Sequence, residues 1–181
     1  MGMAATIPLY TVDDLERFPS DGNRYELLEG VLLVTPAPGT PHQLIISRIL
    51  SILLPAVQAP GHAFVLAPGA VSFPPRTQLE PDILVVPAQY PVRERWIDVR
   101  NYWLAVEVYS RASRIYDHDF KRDNYLKLGV REVWLVDRMT RSVEISRELG
   151  ASETVSDVVL WHPMLDIEVR LDLSEVFAGI D

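Results

Sequence analysis

A carboxylate inside an apolar segment is the first sign of chemistry in this sequence. Glu107 interrupts the apolar run from Leu104 to Val108. Burying an unpaired carboxylate costs several kcal/mol, so Glu107 needs a cationic partner, a metal ion or a role in a reaction. Asp82 opens a second apolar run, directly after Pro81. If the runs are neighbouring strands about 4.8 Å apart, both carboxylates reach one cation, and such oxygen ligands suit Mg²⁺ or Mn²⁺.

A cationic side chain is available for the same site. Asp117, Lys121 and Tyr125 recur every four residues and share one face of a helix predicted from Asp117 to Leu128. A lysine on that face orients an attacking water or neutralises negative charge that develops on a phosphate. The alternatives are an exposed helix lysine, a tyrosine that only packs, and an aspartate that favours the helix dipole.

Helices and hairpins are predicted around these residues. Thr11 begins a short helix through a capping box with Asp14. A second helix begins at Thr40, the predicted N-cap, with a proline in its first turn. Two hairpins are predicted, one over residues 24–35 that turns at Glu29-Gly30 and one over residues 63–73 that turns at Pro68-Gly69.

Continuous apolar runs predict the strands of a buried sheet. The strong ones cover residues 83–86, 103–108 and 133–136, and weaker ones cover residues 142–146, 158–161 and 167–169. The order of elements predicts an α/β fold with a mixed sheet and one right-handed strand–helix–strand crossover. The length of 181 residues predicts a single domain, residues 1–181.

An ordered series of motifs spans most of the chain, from about Thr11 to Asp137. The members are Tyr25-Glu26-Leu27-Leu28-Glu29-Gly30-Val31, Pro41-His42, Pro81-Asp82, Glu107-Val108-Tyr109-Ser110, Asp117, Lys121, Tyr125 and residues 129–137. In this series the sequence resembles the Uma-like restriction endonucleases, a bacterial branch of the PD-(D/E)XK nuclease superfamily. The resemblance implies a restriction-endonuclease-like mixed β-sheet flanked by helices, with an additional N-terminal hairpin and C-terminal strands. It also implies a metal-dependent DNA endonuclease.

The resemblance implies roles for three residues. Asp82 and Glu107 correspond to ligands of Mg²⁺ or Mn²⁺ and, with Lys121, to the catalytic residues. The superfamily motif has its lysine two residues after the acid, where this chain has Tyr109. The Uma-like branch moves the lysine to the next helix, which makes Lys121 the replacement. A second departure is Arg111, which follows Ser110 where proline is usual.

Three further residues are accessory candidates. Glu26 belongs to a family-like motif, which places it at the edge of the metal site, but its alternation with apolar neighbours also fits a solvated strand face. His42 follows Pro41 at a helix start and either approaches the site or lies on the surface. Tyr125 either packs or forms a hydrogen bond within the site.

Charge bears on whether DNA is a partner. Arg111, Arg114 and Arg122 cluster around the predicted site helix and are candidates for phosphate contacts, although interleaved acids also fit a solvated surface. The formal net charge is −8, which is the wrong sign for tight, non-specific binding to DNA. The alternative function is therefore a catalytically weak or inactive nuclease-fold module that binds a partner.

Composition limits the remaining possibilities. The absence of cysteine excludes disulfides, zinc–thiolate sites and thiol nucleophiles. The N-terminal sequence lacks the order of a signal peptide, and the apolar runs are shorter than the ~20 residues of a membrane helix, so we expect a cytoplasmic protein without a membrane partner. We expect a homodimer or higher homo-oligomer, for which Trp96, Tyr102 and Trp103 are interface candidates. Positions in the core are the alternative for these aromatics.

Overall fold

A mixed β-sheet holds the segments that carry the candidate residues. The computed structural model describes residues 8–90, 96, 99–109 and 120–180. Within them the central sheet has six strands in the order β10-β9-β8-β7-β6-β3. Strands β7 and β8 pair in parallel, as the predicted crossover requires, and the other pairs are antiparallel. The α/β fold class is confirmed.

The strands and helices have the following bounds. The strands are β1 (Arg24–Leu28), β2 (Val31–Thr35), β3 (Ala63–Leu66), β4 (Val71–Phe73), β5 (Thr77–Leu79), β6 (Ile83–Pro87), β7 (Leu104–Tyr109), β8 (Val133–Asp137), β9 (Ser142–Glu148), β10 (Ala151–Val155), β11 (Val158–Met164) and β12 (Ile167–Asp172). The α-helices are α1 (Thr40–Leu53), α2 (Arg122–Lys127) and α3 (Leu173–Val176). A 3₁₀ helix covers Val12–Arg17, and a π-helical segment, Leu54–Gln58, extends α1.

Two apolar cores form on opposite faces of the central sheet. Residues of β6, β7 and β8 alternate between them, as successive side chains of a strand must. Val106 contributes to the core that contains α1, whereas Ala105 and Tyr109 contribute to the core that contains Tyr125. Glu107 has the same parity as Ala105, so its side chain faces the second core. That face of the sheet carries the candidate site.

Helix α1 packs on the other face of the sheet. Its buried stripe of Ile45, Ile49 and Leu53 belongs to the first core. With its extension the helix covers Thr40–Gln58, 19 residues with a mean hydropathy of 1.2, so by length and composition it meets the criterion for a membrane span. Core helices of globular proteins pass the same test, and here 28% of the segment is buried inside the protein, including the stripe that packs on the sheet.

A second sheet brings the N-terminal hairpin to the site. It has four strands in the order β2-β1-β5-β4, and the predicted hairpin of β1 and β2 is confirmed. The predicted 63–73 hairpin is wrong, because β3 pairs with β6 in the central sheet and β4 pairs with β5 in this one. Gly69 lies between the two strands and packs directly on Leu84, where a Cβ would lie 2.5 Å from the leucine Cβ. This close approach fits a chain that passes from one sheet to the other instead of turning back.

Two predicted helix starts have different outcomes. The Thr11 N–H donates to the Asp14 carboxylate at 2.9 Å, so this contact of the predicted capping box is present. Thr40 was predicted as the N-cap of α1, but the helix includes Thr40 and Gly39 precedes it as the cap. The proline in the first turn is confirmed.

Candidate active site

Asp82 and Glu107 lie side by side on two adjacent strands. Ile83 of β6 pairs with Val106 of β7, so the next position along each strand brings the two acids together. The Val108 N–H donates to Asp82 Oδ2 at 2.8 Å and fixes that carboxylate directly before the first residue of β6. Both residues are buried, with 2% of Asp82 and 4% of Glu107 exposed. The proximity predicted from the two apolar runs is therefore present.

Lys121 and Tyr125 reach Glu107 from the helical segment that follows β7. Lys121 Nζ lies 3.2 Å from Glu107 Oε1, and the Tyr125 hydroxyl donates to the same oxygen at 2.6 Å. Both side chains are buried. The spacing of four residues put them on one helical face, as the sequence predicts. Tyr125 forms a hydrogen bond in the site as well as packing in the second core.

Glu26 is buried, with none of its surface exposed, so the solvated-face interpretation of this residue is wrong. Its Oε2 accepts a hydrogen bond from Lys121 Nζ at 2.8 Å, and its Oε1 accepts one from the Glu80 N–H at 2.7 Å. Alternation along β1 separates Glu26 from its apolar neighbours, but the face that carries Glu26 meets Lys121 instead of solvent. Glu26 binds the lysine of the site.

Arg24 is a site residue that the sequence reasoning missed. Its Nη2 donates to Asp82 Oδ1 at 2.7 Å, and its Nη1 donates to the Glu80 carbonyl at 2.9 Å and lies 4.0 Å from Glu107 Oε2. Arg24 precedes Glu26 by two residues and so shares its face of β1. That spacing of two residues is the sequence feature from which Arg24 could have been predicted to lie beside Glu26.

His42 approaches the site from the first turn of α1. Its Nε2 lies 3.2 Å from Asp82 Oδ1, so of the two positions considered for this residue the structure shows the one beside the carboxylates. Asp82 thus has two basic neighbours on one oxygen and a backbone N–H on the other.

Burial and neighbouring charges together shift the pKa values of the two acids in opposite directions. Burial alone raises the pKa of Asp82, but His42 and Arg24 outweigh it and hold that pKa below its usual value. Burial raises the pKa of Glu107 to about 8, a change that Lys121 opposes and that the nearby Asp82 and Glu26 reinforce. Adjacent acids therefore differ in protonation near neutral pH, with Asp82 ionised and Glu107 protonated in much of the population.

The remaining candidates lie elsewhere or outside the described residues. Arg122 forms ion pairs with Asp123 and Glu144, and only 14% of its side chain is exposed, so its charge is engaged within the protein. Tyr102 and Trp103 are buried in the two cores, and the half-buried Trp96 packs against the second, so the structure shows the core positions considered for these aromatics. Their part in self-association stays a prediction. Arg111, Arg114 and Asp117 lie outside the described residues.

The acid pair has the donor chemistry of a magnesium site. Mg²⁺ is usually held by one or two carboxylates, with waters and substrate phosphate completing its shell. Two adjacent carboxylates satisfy that requirement, although no group of three potential ligands occurs in the part of the chain that the structure describes. Among the described residues, the cationic group nearest to Glu107 Oε2 is Arg24 Nη1, at 4.0 Å. Glu26 is less suited to be a ligand because both of its oxygens accept hydrogen bonds.

Comparison with known proteins gives a family and a fold. A family model described as "Uma2: Putative restriction endonuclease" matches residues 12–180. A crystal structure from Anabaena variabilis, described as "a putative nuclease belonging to DUF820", superposes with a TM-score of 0.76 at 20% sequence identity. The match covers 92% of this chain and 97% of that one, and it establishes a shared fold. No curated protein matches the chain.

Proposed function

Given that this chain belongs to the Uma2 family, we propose that it is a divalent-metal-dependent endonuclease that hydrolyses phosphodiester bonds in DNA. One observation carries the proposal: the buried, adjacent carboxylates of Asp82 and Glu107, with Lys121 Nζ 3.2 Å from the second of them. Two acids and a lysine grouped on one face of the central sheet are groups suited to metal-assisted phosphate hydrolysis.

Both acids would be ligands of the metal. Asp82 and Glu107 would supply carboxylate oxygens to Mg²⁺ or Mn²⁺. When bound, such an ion lowers the pKa of its water and polarises the phosphate. Asp82 is ready for this role because its pKa is low, whereas Glu107 must lose a proton first.

The neighbouring residues orient these acids. Tyr125 donates to Glu107 Oε1, which leaves Oε2 as the oxygen directed toward Arg24. The Val108 N–H fixes Asp82 Oδ2 in the same way. Lys121, held by Glu26, places a positive charge beside Glu107, where it stabilises the charge that develops on a phosphate during attack by water.

A cleft of about 800 Å³ gives a substrate access to the acids. Its wall includes Asp82, Glu107 and Lys121, together with the loop that connects β2 to α1. A cleft of this size admits a short stretch of one strand, so that a phosphate can approach the otherwise buried pair.

A second candidate function is a nuclease-fold module that binds a partner without cleaving DNA. The observation that favours it is the neutralisation of the acids: Arg24 lies 2.7 Å from Asp82, and Lys121 lies 3.2 Å from Glu107. A metal has to compete with these cations. The formal net charge of −8 also opposes binding to DNA.

Cleavage assays separate the two functions. We expect Mg²⁺ or Mn²⁺ to stimulate cleavage of single-stranded or duplex DNA by the wild type. Because a ligand carboxylate contributes roughly 3 kcal/mol of charge stabilisation, Asp82→Asn and Glu107→Gln should each lower the rate about 100-fold or more. Glu153→Gln, which removes an exposed carboxylate on β10, is the matched control and should keep full activity.

Two results would reject the endonuclease. One is a folded wild type that is inert on both kinds of DNA with both metals, which supports the binding module. The other is cleavage that persists at wild-type rate in both site variants, which indicates a contaminating nuclease. Each variant is compared with the wild type by circular dichroism, so that loss of the fold is not taken for loss of the site.

A further inference from the structure

Arg138 is a basic residue on the cleft wall whose charge is not engaged within the described protein. It follows β8 directly, and its side chain is half-buried. Its Nε is buried and has no hydrogen-bond partner among the residues that the structure describes. A buried donor without a partner is unfavourable, and a ligand in the cleft that supplies an acceptor to this arginine would relieve that cost.

The other basic side chains on the described part of the cleft wall already have acidic neighbours. Arg24 is paired with Asp82, Lys121 with Glu26 and Glu107, and His42 lies beside Asp82. Across residues 8–90, 96, 99–109 and 120–180, Arg138 is the basic side chain of this cleft wall for which no ion pair is found. Among the residues that the structure describes, Arg138 is therefore the cleft-wall cation that is most available to a substrate phosphate.

The turn after β8 positions Arg138. The Asp137 carboxylate accepts the backbone N–H groups of Met139 and Thr140, at 2.7 and 3.3 Å, and so fixes the chain on both sides of the arginine. Strand β8 runs parallel to β7, with Leu135 opposite Glu107. Arg138 is three residues further along, so its backbone lies at most about 10 Å beyond the acid pair. A neighbouring phosphate on the same strand is within reach of its side chain.

We propose that Arg138 binds a backbone phosphate of the substrate strand next to the phosphate that is cleaved. This inference rests on the proposed function and adds a substrate-binding residue to it. Arginine suits the role because its planar guanidinium donates two parallel hydrogen bonds to phosphate oxygens. Because affinity for DNA comes mostly from cations that face phosphates, this contact would add to DNA binding by a chain with a net charge of −8.

The test is DNA binding by the full chain, measured without cleavage. Anisotropy of a labelled oligonucleotide is followed in EDTA over a series of salt concentrations, for the wild type, Arg138→Gln and Arg138→Lys. We expect Arg138→Gln to bind about tenfold more weakly and to lower the slope of log K against log salt by about 0.7 to 0.9, as loss of one phosphate contact does. Arg138→Lys should keep the slope and recover part of the affinity.

Arg170→Gln is the matched control. It removes the same charge from β12, where 61% of the arginine side chain is exposed outside the cleft wall. It should leave both affinity and slope unchanged. Thermal melting of each variant should match the wild type, because Arg138 Nε has no described partner to lose.

Three outcomes would overturn the inference: an unchanged slope in Arg138→Gln, an equal change in Arg170→Gln, or no binding by the wild type. These outcomes are distinct from failure of the proposed function. Normal binding that depends on Arg138, without metal-stimulated cleavage, rejects the endonuclease and leaves Arg138 as a DNA contact. Metal-stimulated cleavage together with binding that does not depend on Arg138 supports the endonuclease and rejects Arg138 as a DNA contact.

Discussion

Lys121 lies closer to Glu26 than to Glu107. Its Nζ is 2.8 Å from Glu26 Oε2 and 3.2 Å from Glu107 Oε1. Glu26 is on β1 of the four-stranded sheet, and Glu107 is on β7 of the central sheet. One buried ammonium group thus joins acids from two sheets. The lysine is part of the packing between those sheets as well as part of the candidate site.

Replacing this lysine should destabilise the protein. In Lys121→Met the carboxylates of Glu26 and Glu107 lose their shared cation while they remain buried, which typically costs about 3 to 5 kcal/mol when one partner of a buried pair is removed. We therefore expect a lower midpoint of urea denaturation with an unchanged slope of free energy against urea concentration.

A second substitution distinguishes this cause from poor packing of methionine. Glu26→Gln removes the carboxylate that Lys121→Met leaves without its partner and keeps a similar shape, so the Lys121→Met/Glu26→Gln double variant should regain part of the lost stability. Double-variant stability equal to the sum of the two single losses would show that the Lys121–Glu26 ion pair contributes nothing of its own.

The Tyr125 hydroxyl is expected to tune Glu107 rather than only pack beside it. Its hydrogen bond of 2.6 Å favours the ionised form of Glu107, so Tyr125→Phe should raise the pKa of that carboxyl further. The expected result is a rate–pH profile displaced to higher pH, with a loss of stability of about 1 to 3 kcal/mol. A profile that keeps its position would mean that the ionisation of Glu107 does not limit the reaction.

Stability should depend on pH through Glu107. Its pKa is raised from 4.5 to about 8 in the folded chain, so between these values the folded state binds more protons than the unfolded state. The contribution of Glu107 to the free energy of unfolding is therefore full below pH 4.5 and falls as the pH rises toward about 8. Glu107→Gln should remove this fall, measured as the difference between wild-type and variant denaturation curves over the pH series. Parallel curves would contradict the raised pKa.

Much of the central sheet could be predicted because its signal is local. Strands β6, β7 and β8 are buried along their whole length and read as continuous apolar runs. The spacing of Lys121 and Tyr125 is a helical period, and both reach Glu107. The family-like motifs also located Asp82 and Glu107 in order, and the pairing of Ile83 with Val106 brings the two acids together.

The partners of these residues were not predictable because they come from distant parts of the chain. Arg24 and Asp82 are 58 residues apart, and Lys121 and Glu26 are 95 apart. Strand β1 reads as an ordinary amphipathic strand, and only the packing of two sheets shows that its polar face is buried. The prediction of a 63–73 hairpin was wrong for the same reason. Two short strands with a plausible turn between them carry no information on which sheet each strand joins.

The central claim is that Asp82 and Glu107 form one divalent-metal site. Isothermal titration calorimetry of Mg²⁺ or Mn²⁺ into the wild type and Glu107→Gln tests it directly, above the Glu107 pKa of about 8 so that the carboxyl is ionised. Glu153→Gln, which alters an exposed carboxylate, is the control.

We expect one ion to bind per wild-type chain, with unchanged affinity in the control and affinity at least about tenfold lower in Glu107→Gln, since losing a ligand costs more than about 1.4 kcal/mol. Wild-type affinity should also fall as the pH drops below 8, because the ion must displace a proton from Glu107. Identical isotherms for the wild type and Glu107→Gln, or no binding by the wild type of either metal, would contradict the claim.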